Sequence, residues 1–203
     1  MNIALLFGSF NPIHNGHLAM AHAALQSNKC DEVWFVVSPH NPLKSRNTLA
    51  PANDRAHMVS LAIQDESKFK ICTVEFNMPT PSYTIHTVQK LKRHFHEHVF
   101  FLLCGTDVVH SLPAWYKYEE LIQSLKFLVC SREIENQFAS HSLVQEYSEQ
   151  FEFIAFEPLE VSSTQIRETL VNTGNSTQVT EQVLAFILSQ GLYGSNGEER
   201  GRN

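Results

Sequence analysis

The chain has 203 residues, enough for one domain with a sizeable core, and carries 43% hydrophobic and 18% charged residues with a formal net charge of -6. That balance excludes a disordered chain and argues against broad electrostatic binding of nucleic acid, while leaving room for a local basic site. The apolar start at 3–7 is too short for a signal peptide, and no run approaches the roughly 20 apolar residues of a membrane span, so a cytoplasmic chain without membrane contact is expected. Cys30, Cys72, Cys104 and Cys130 form no CxxC pair and read as small buried hydrophobes in a reducing compartment.

In chain order, residues 3–7 form a continuous apolar run closed by Gly8, which suits a strand buried on both faces. A helix over 17–26 follows, with Leu18, Ala21 and Leu25 on one side. The second strand is "EVWFVV", closed by "SPHNPLK". Asn53 suits the cap of a helix carrying Met58, Val59, Leu61 and Ala62, and 70–74 reads as a short third strand. The prolines of "NMPTPSYT" make it a loop, and Ile85, Val88, Leu91 and Phe95 then fall at helical spacing. The run "VFFLLC", closed by Gly105, is the most apolar strand; 127–130 and 151–156 are further strands with a helix between them. From Ser162 the pattern is helical, with Gly191 as a helix stop.

Strand and helix alternate for most of the length. This predicts an α/β fold: a Rossmann-like doubly wound parallel sheet, helices on both faces, and a C-terminal helical segment. One domain over 1–193 and a mobile polar tail over 194–203 are expected. Such sheets bind ligands beyond the carboxyl ends of their strands. Gly8, Ser38, Gly105 and Ser131 all follow strands directly, so their loops should share one rim.

Two stretches stand out. In "GSFNPIHNGH" a buried strand turns on Gly8, and His14 and His17 bracket the start of a helix, entered at His17. A glycine permits close backbone approach, helix-start N–H groups attract anions, and imidazole nitrogens can donate to phosphate oxygens. Metal ligation lacks a completing cysteine or carboxylate nearby, and surface histidines would be the reading of either residue alone. Neither GxGxxG nor the P-loop pattern is present. In "VSSTQIRETL", Ser162 and Gln165 fit a capping box, which describes any well-capped helix. Arg167 near that helix start opposes the macrodipole, and a bound triphosphate would compensate it.

Together "GSFNPIHNGH" and "SSTQIR" resemble the paired signatures of the nucleotidylyltransferase superfamily. "PSYTIHTVQKL", "FLLCGTDVVHSLPAWYKYEEL" and "FILSQGLY" look like the bacterial nicotinate mononucleotide adenylyltransferases, so the resemblance runs from Ile3 to about Tyr193. The chain departs from the family at Phe7, where a second glycine is common, at Asn11, where aspartate is common, and in a longer "SPHNPLK" loop.

The resemblance implies adenylyl transfer from ATP to nicotinate mononucleotide in NAD biosynthesis, releasing pyrophosphate. It implies catalytic roles for His14, His17 and Arg167, and ATP contacts at Gly8, Ser9, Phe10, His14, His17, Ser163, Thr164 and Arg167. Mg²⁺ would be held mostly by the ATP phosphates and water, with no protein metal site. Gly105 and Asp107 in "CGTD" suit the ATP ribose, though Asp107 is equally a turn or helix cap. Ser82, Tyr83 and Thr84 would meet the nicotinate carboxylate; without the resemblance they are a helix start. Trp115 could stack on the pyridine ring or sit in the core. Arg132, with its fork, suits the mononucleotide phosphate, as do His40 and Lys44 in the loop after the second strand. His94, His96 and His98 read as exposed loop histidines rather than a metal set. A homo-oligomer stays open. The rival readings are transfer to nicotinamide mononucleotide or phosphopantetheine, and a nucleotide-binding sensor without turnover.

Overall fold

Alternate residues of each central strand feed two different cores, which is why the strands read as unbroken apolar runs. The computed structural model describes residues 1–40, 49–132 and 141–194. Within them β1 (Asn2–Gly8), β2 (Glu32–Val37), β3 (Phe69–Cys72), β4 (Val99–Gly105), β5 (Lys126–Ser131) and β6 (Phe151–Ala155) form one sheet. Its order is β3-β2-β1-β4-β5-β6, and every neighbouring pair is parallel. Ala4 and Leu6 of β1, with Phe35 and Leu103, face one core. That core is covered by α1 (Asn15–Gln26), α2 (Ala52–Ile63), α7 (Ser163–Thr173) and α8 (Glu181–Gln190). Ile3 and Leu5, with Leu102 and Val129, face the other. Here α3 (Thr84–His94), α4 (Thr106–Ser111), α5 (Tyr118–Ser124) and α6 (Ser142–Glu146) close the layer. Each fully buried aliphatic side chain contributes about 1.5–3 kcal/mol of transfer free energy, so neither face of the sheet could be left bare.

This is the doubly wound sheet that the alternation predicts. β1 lies between β2 and β4, so the strand order reverses there and a crevice opens beyond their carboxyl ends. The loops after β1, β2, β4 and β5 therefore reach the same rim.

Several boundaries differ from the sequence reading. α1 begins at Asn15, two residues earlier than expected, because the carbonyl of His14 already accepts from the N–H groups of His17 and Leu18. α2 is led by Pro51, whose carbonyl accepts from Arg55 N–H, so Asn53 lies inside the first turn. β3 spans Phe69–Cys72; the chain leaves the sheet at Thr73 and winds into a 3-10 turn, Val74–Asn77, which takes Val74 with it. Gly191 does end α8, in the left-handed region at φ 58°. Gly194 closes a last 3-10 turn, and the rest of the polar tail, 195–203, lies outside the described residues.

All four cysteines are free and buried, and burial pushes the thiols of Cys30 and Cys130 up to about 11 and about 12. Among the described residues, no helix is long and apolar enough to cross a membrane.

Candidate active site

The loop after β1 is built around two rings and a cap. Phe10 takes a positive φ of 45° and is 1% exposed, so its ring lies beneath the loop against Phe35 and edge-on to His17 at 5.0 Å. That ring explains Gly8, whose Cβ would sit 2.8 Å from Phe10 carbons. The glycine here makes room for Phe10, whose ring is closed off from any ligand. His14 caps α1 in extended conformation, and its ring lies over that of His17, centroids 3.7 Å apart. The N–H of His14 donates to Nδ1 of His17 at 3.2 Å. An accepting Nδ1 places the ring proton of neutral His17 on Nε2, which is then the ring's donor.

α7 docks its N-terminus on this loop. Ser162 caps it, accepting from Gln165 N–H at 3.2 Å. Ser163 donates its hydroxyl to Pro12 O at 3.0 Å. Arg167 divides its fork: Nη1 donates to Asn11 O at 2.9 Å and Nη2 to Thr164 Oγ1 at 3.1 Å. The residues from the two motifs, 151–156 positions apart in sequence, thus share one loop. His14 and His17 at the start of α1 and Arg167 near the start of α7 are tied to this one loop, an arrangement that suits a polyanion.

On the neighbouring strand, Gly105 is the cap of α4 and Asp107 lies in its first turn. A Cβ on Gly105 would come 2.6 Å from Asp107 Oδ1, so the carboxylate folds back over the glycine at the end of β4. Asp107 itself is exposed.

The remaining predicted residues occupy the other half of the rim. His40 O accepts from Ser82 N–H at 3.1 Å, joining the loop after β2 to the loop before α3. Ser82 is buried and its hydroxyl turns inward, which removes it from the set facing the rim. Tyr83 caps α3, Thr84 is its first residue, and both are half-buried. Trp115 ends the 3-10 turn Leu112–Ala114 and is half-buried against the core under α3 and α5. The Tyr83 and Tyr116 rings pack at 4.6 Å, so the two loops meet. Arg132 is exposed just past β5, beside Glu157 at 3.5 Å, a pairing that water screens. Lys44 lies outside the described residues. His94 and His96 are exposed; His98 is half-buried against the rings of Trp34, Phe95 and Phe100.

A family model described as cytidylyltransferase-like matches residues 5–169. A protein of Flavobacterium psychrophilum named "Probable nicotinate-nucleotide adenylyltransferase" is 40% identical over 179 residues, covering 86% of this chain and 89% of its own length. One of the same name from Cytophaga hutchinsonii is 36% identical over 195 residues, covering 95% and 98%. The chain belongs to the nicotinate-nucleotide adenylyltransferase family. Its fold is also that of the Plasmodium falciparum nicotinic acid mononucleotide adenylyltransferase solved with NaAD, at a TM-score of 0.80 over 97% of this chain and 99% of that one, with 21% identity.

Behind the rim of this family member stands a framework that the motifs do not announce. Arg55 is 1% exposed. Its Nε donates to Ala50 O, Nη1 to Ser9 O and Ser38 O, and Nη2 to Pro39 O. One guanidinium thereby pins the loops after β1 and β2 together. Burial lowers its pKa, with Tyr193 opposing, which marks the desolvation this clamp costs. Asn11 adds a second brace, since its Oδ1 accepts from Ala50 N–H and from the Tyr193 hydroxyl, each at 2.9 Å. The amide at position 11 therefore serves as a structural acceptor. Arg55 could have been found as the one charge on the face shared by Met58 and Val59; Asn11 and Tyr193 carry no comparable signal.

Proposed function

We propose that the protein transfers the adenylyl group of ATP to nicotinate mononucleotide in the cytoplasm, giving nicotinate adenine dinucleotide and pyrophosphate for NAD biosynthesis. The observation that carries this reading is the convergence of His14, His17 and Arg167 on the loop after β1, at the reversal of strand order, in a chain of this family.

A phosphate oxygen of the mononucleotide forms a bond to the α-phosphorus of ATP, and the bond from that phosphorus to the bridging oxygen breaks as pyrophosphate leaves. The nucleophile is already anionic near neutral pH, so a strong general base is unnecessary. The chain's task is to align two anions and to stabilise charge that grows on the equatorial and leaving oxygens. His17 offers Nε2–H to those oxygens, with His14 stacked beside it. Arg167 keeps N–H donors beyond the two it spends on Asn11 and Thr164, and these suit the β- and γ-phosphates. Ser163 gives its hydroxyl to Pro12, so its contribution is the free backbone N–H at the start of α7, next to Thr164. The backbone of Gly8, Ser9 and Phe10 lines the phosphate side, and Gly105 and Asp107 suit the ribose. His40, Tyr83, Thr84, Trp115 and Arg132 are assigned to the mononucleotide side, with Trp115 to stack on the pyridine ring; Lys44, outside the described residues, is assigned to the same substrate from the sequence alone.

The protein groups at the phosphate side are donors. Among the described residues, no cluster of three or more His, Cys, Asp or Glu side chains could cage an ion. That chemistry fits Mg²⁺ arriving on the ATP phosphates with its waters, where it supplies charge neutralisation.

Trp115 and Tyr83 favour an aromatic substrate over phosphopantetheine, and the intact donor set favours turnover over sensing. A pyrophosphate-release assay with ATP and nicotinate mononucleotide, nicotinamide mononucleotide or phosphopantetheine tests the reading. Fast release with the nicotinate compound alone supports it. Release with phosphopantetheine only, or with none of the three, overturns it.

A further inference from the structure

Glu75 lies in the 3-10 turn after β3 and is 1% exposed. A carboxyl at such depth is costly unless hydrogen bonds compensate it, and an apolar residue of similar size would ordinarily be the more stable choice. Its surroundings suggest why it is there. Thr87, on the buried face of α3, donates to Oε1 at 2.8 Å. Burial raises the carboxyl's pKa, and the hydroxyls of Thr87, Ser38 and Ser82 oppose that rise. Oε2 and the Ser82 hydroxyl are both buried, and neither closes a hydrogen bond. An open acceptor thus lies beside an open donor.

These neighbours belong to the segments that wall the mononucleotide side of the rim. Ser38 leads into His40 after β2, Ser82 holds His40 O through its N–H, and Thr87 sits one turn into α3 below Thr84. Arg55 grips the first of these segments through Ser38 O and Pro39 O. Glu75 therefore stands where three parts of one wall meet, without touching the rim itself.

We propose that Glu75 is a positioning residue of the mononucleotide pocket: its carboxyl fixes α3 through Thr87 and takes the Ser82 hydroxyl as the loop seats the base. This rests on the functional reading above. The hydroxyls around Glu75, those of Thr87, Ser38 and Ser82, belong to the mononucleotide wall, so its effect belongs to one substrate.

The test is steady-state kinetics of Glu75→Gln and Glu75→Ala, varying ATP and the mononucleotide that the wild-type enzyme uses best. Which mononucleotide that is tests the function, and the split between the two KM values tests Glu75. In Glu75→Gln, which keeps the shape and one acceptor oxygen, the mononucleotide KM should rise about tenfold while the ATP KM stays within about twofold, the loss of roughly one buried hydrogen bond. Direct calorimetric titration of the mononucleotide should show the same weakening, and Glu75→Ala a larger one. An unchanged mononucleotide KM in folded Glu75→Gln, or equal rises in both KM values, would overturn the proposal. If Glu75→Ala fails to fold, Glu75→Gln alone decides, and an enzyme inactive on every mononucleotide overturns both readings.

Discussion

His17 has one ring nitrogen committed, since Nδ1 accepts from the His14 backbone, and this commitment fixes what the other nitrogen can do. Its donor should strengthen as the phosphates gain charge in the transition state. His17→Ala should therefore lower kcat by about 10²–10³, as removal of one preorganised donor does elsewhere, with a smaller effect on mononucleotide binding. Turnover within a few-fold of wild type in a folded variant would exclude this role. Arg55 makes a different demand. Arg55→Met fills similar space but strands the carbonyls of Ala50, Ser9, Ser38 and Pro39. At about 1–3 kcal/mol for each buried carbonyl left unsatisfied, two such losses already destabilise by roughly 2–6 kcal/mol. Urea denaturation measures this directly, and a change below about 1 kcal/mol would mean that water replaces the clamp.

At the scale of elements, function depends on how α7 seats its N-terminus on the loop that leads into α1. Arg167→Lys keeps the charge but cannot bridge Asn11 O and Thr164 Oγ1 with one planar fork. The ATP KM should rise while the mononucleotide KM changes little; the reverse pattern would reassign the arginine. The helix-start signals behind this prediction were readable because capping is local: Ser162 and Gln165 lie within one turn. The sequence pattern places the start of α1 two residues late because His14 is an unusual cap, and only its backbone shows that the helix has begun. Arg55 and Glu75 stand out less in the sequence for another reason. Each sits on the apolar stripe or turn of its own element and finds its partners in segments far along the chain. The motif around Ser82 predicts a rim hydroxyl, whereas packing turns that hydroxyl inward toward Glu75.

For the whole molecule, alternation of strand and helix was enough to predict a doubly wound parallel sheet, since parallel neighbours need crossovers. The strand order, and hence the position of β1 beside β4, follows from pairings that local pattern does not encode. That order brings "GSFNPIHNGH" against "CGTD", and Ser38–His40 and the "PSYT" loop to the adjoining part of the rim. The central claim is that this rim joins ATP to nicotinate mononucleotide. α3 begins at Thr84, so its first backbone N–H groups have no intrahelical acceptor and suit a carboxylate, which only accepts. An amide would turn its NH₂ toward those donors, at a desolvation cost of about 1–3 kcal/mol. Glu75 is buried behind the wall and offers the amide no surface acceptor. The most direct measurement is kcat/KM for nicotinate and nicotinamide mononucleotides at saturating Mg-ATP. Efficiency should be at least about tenfold higher with the nicotinate compound, the ratio that 1.4 kcal/mol provides. Equal efficiencies, or a preference for the amide, would contradict it.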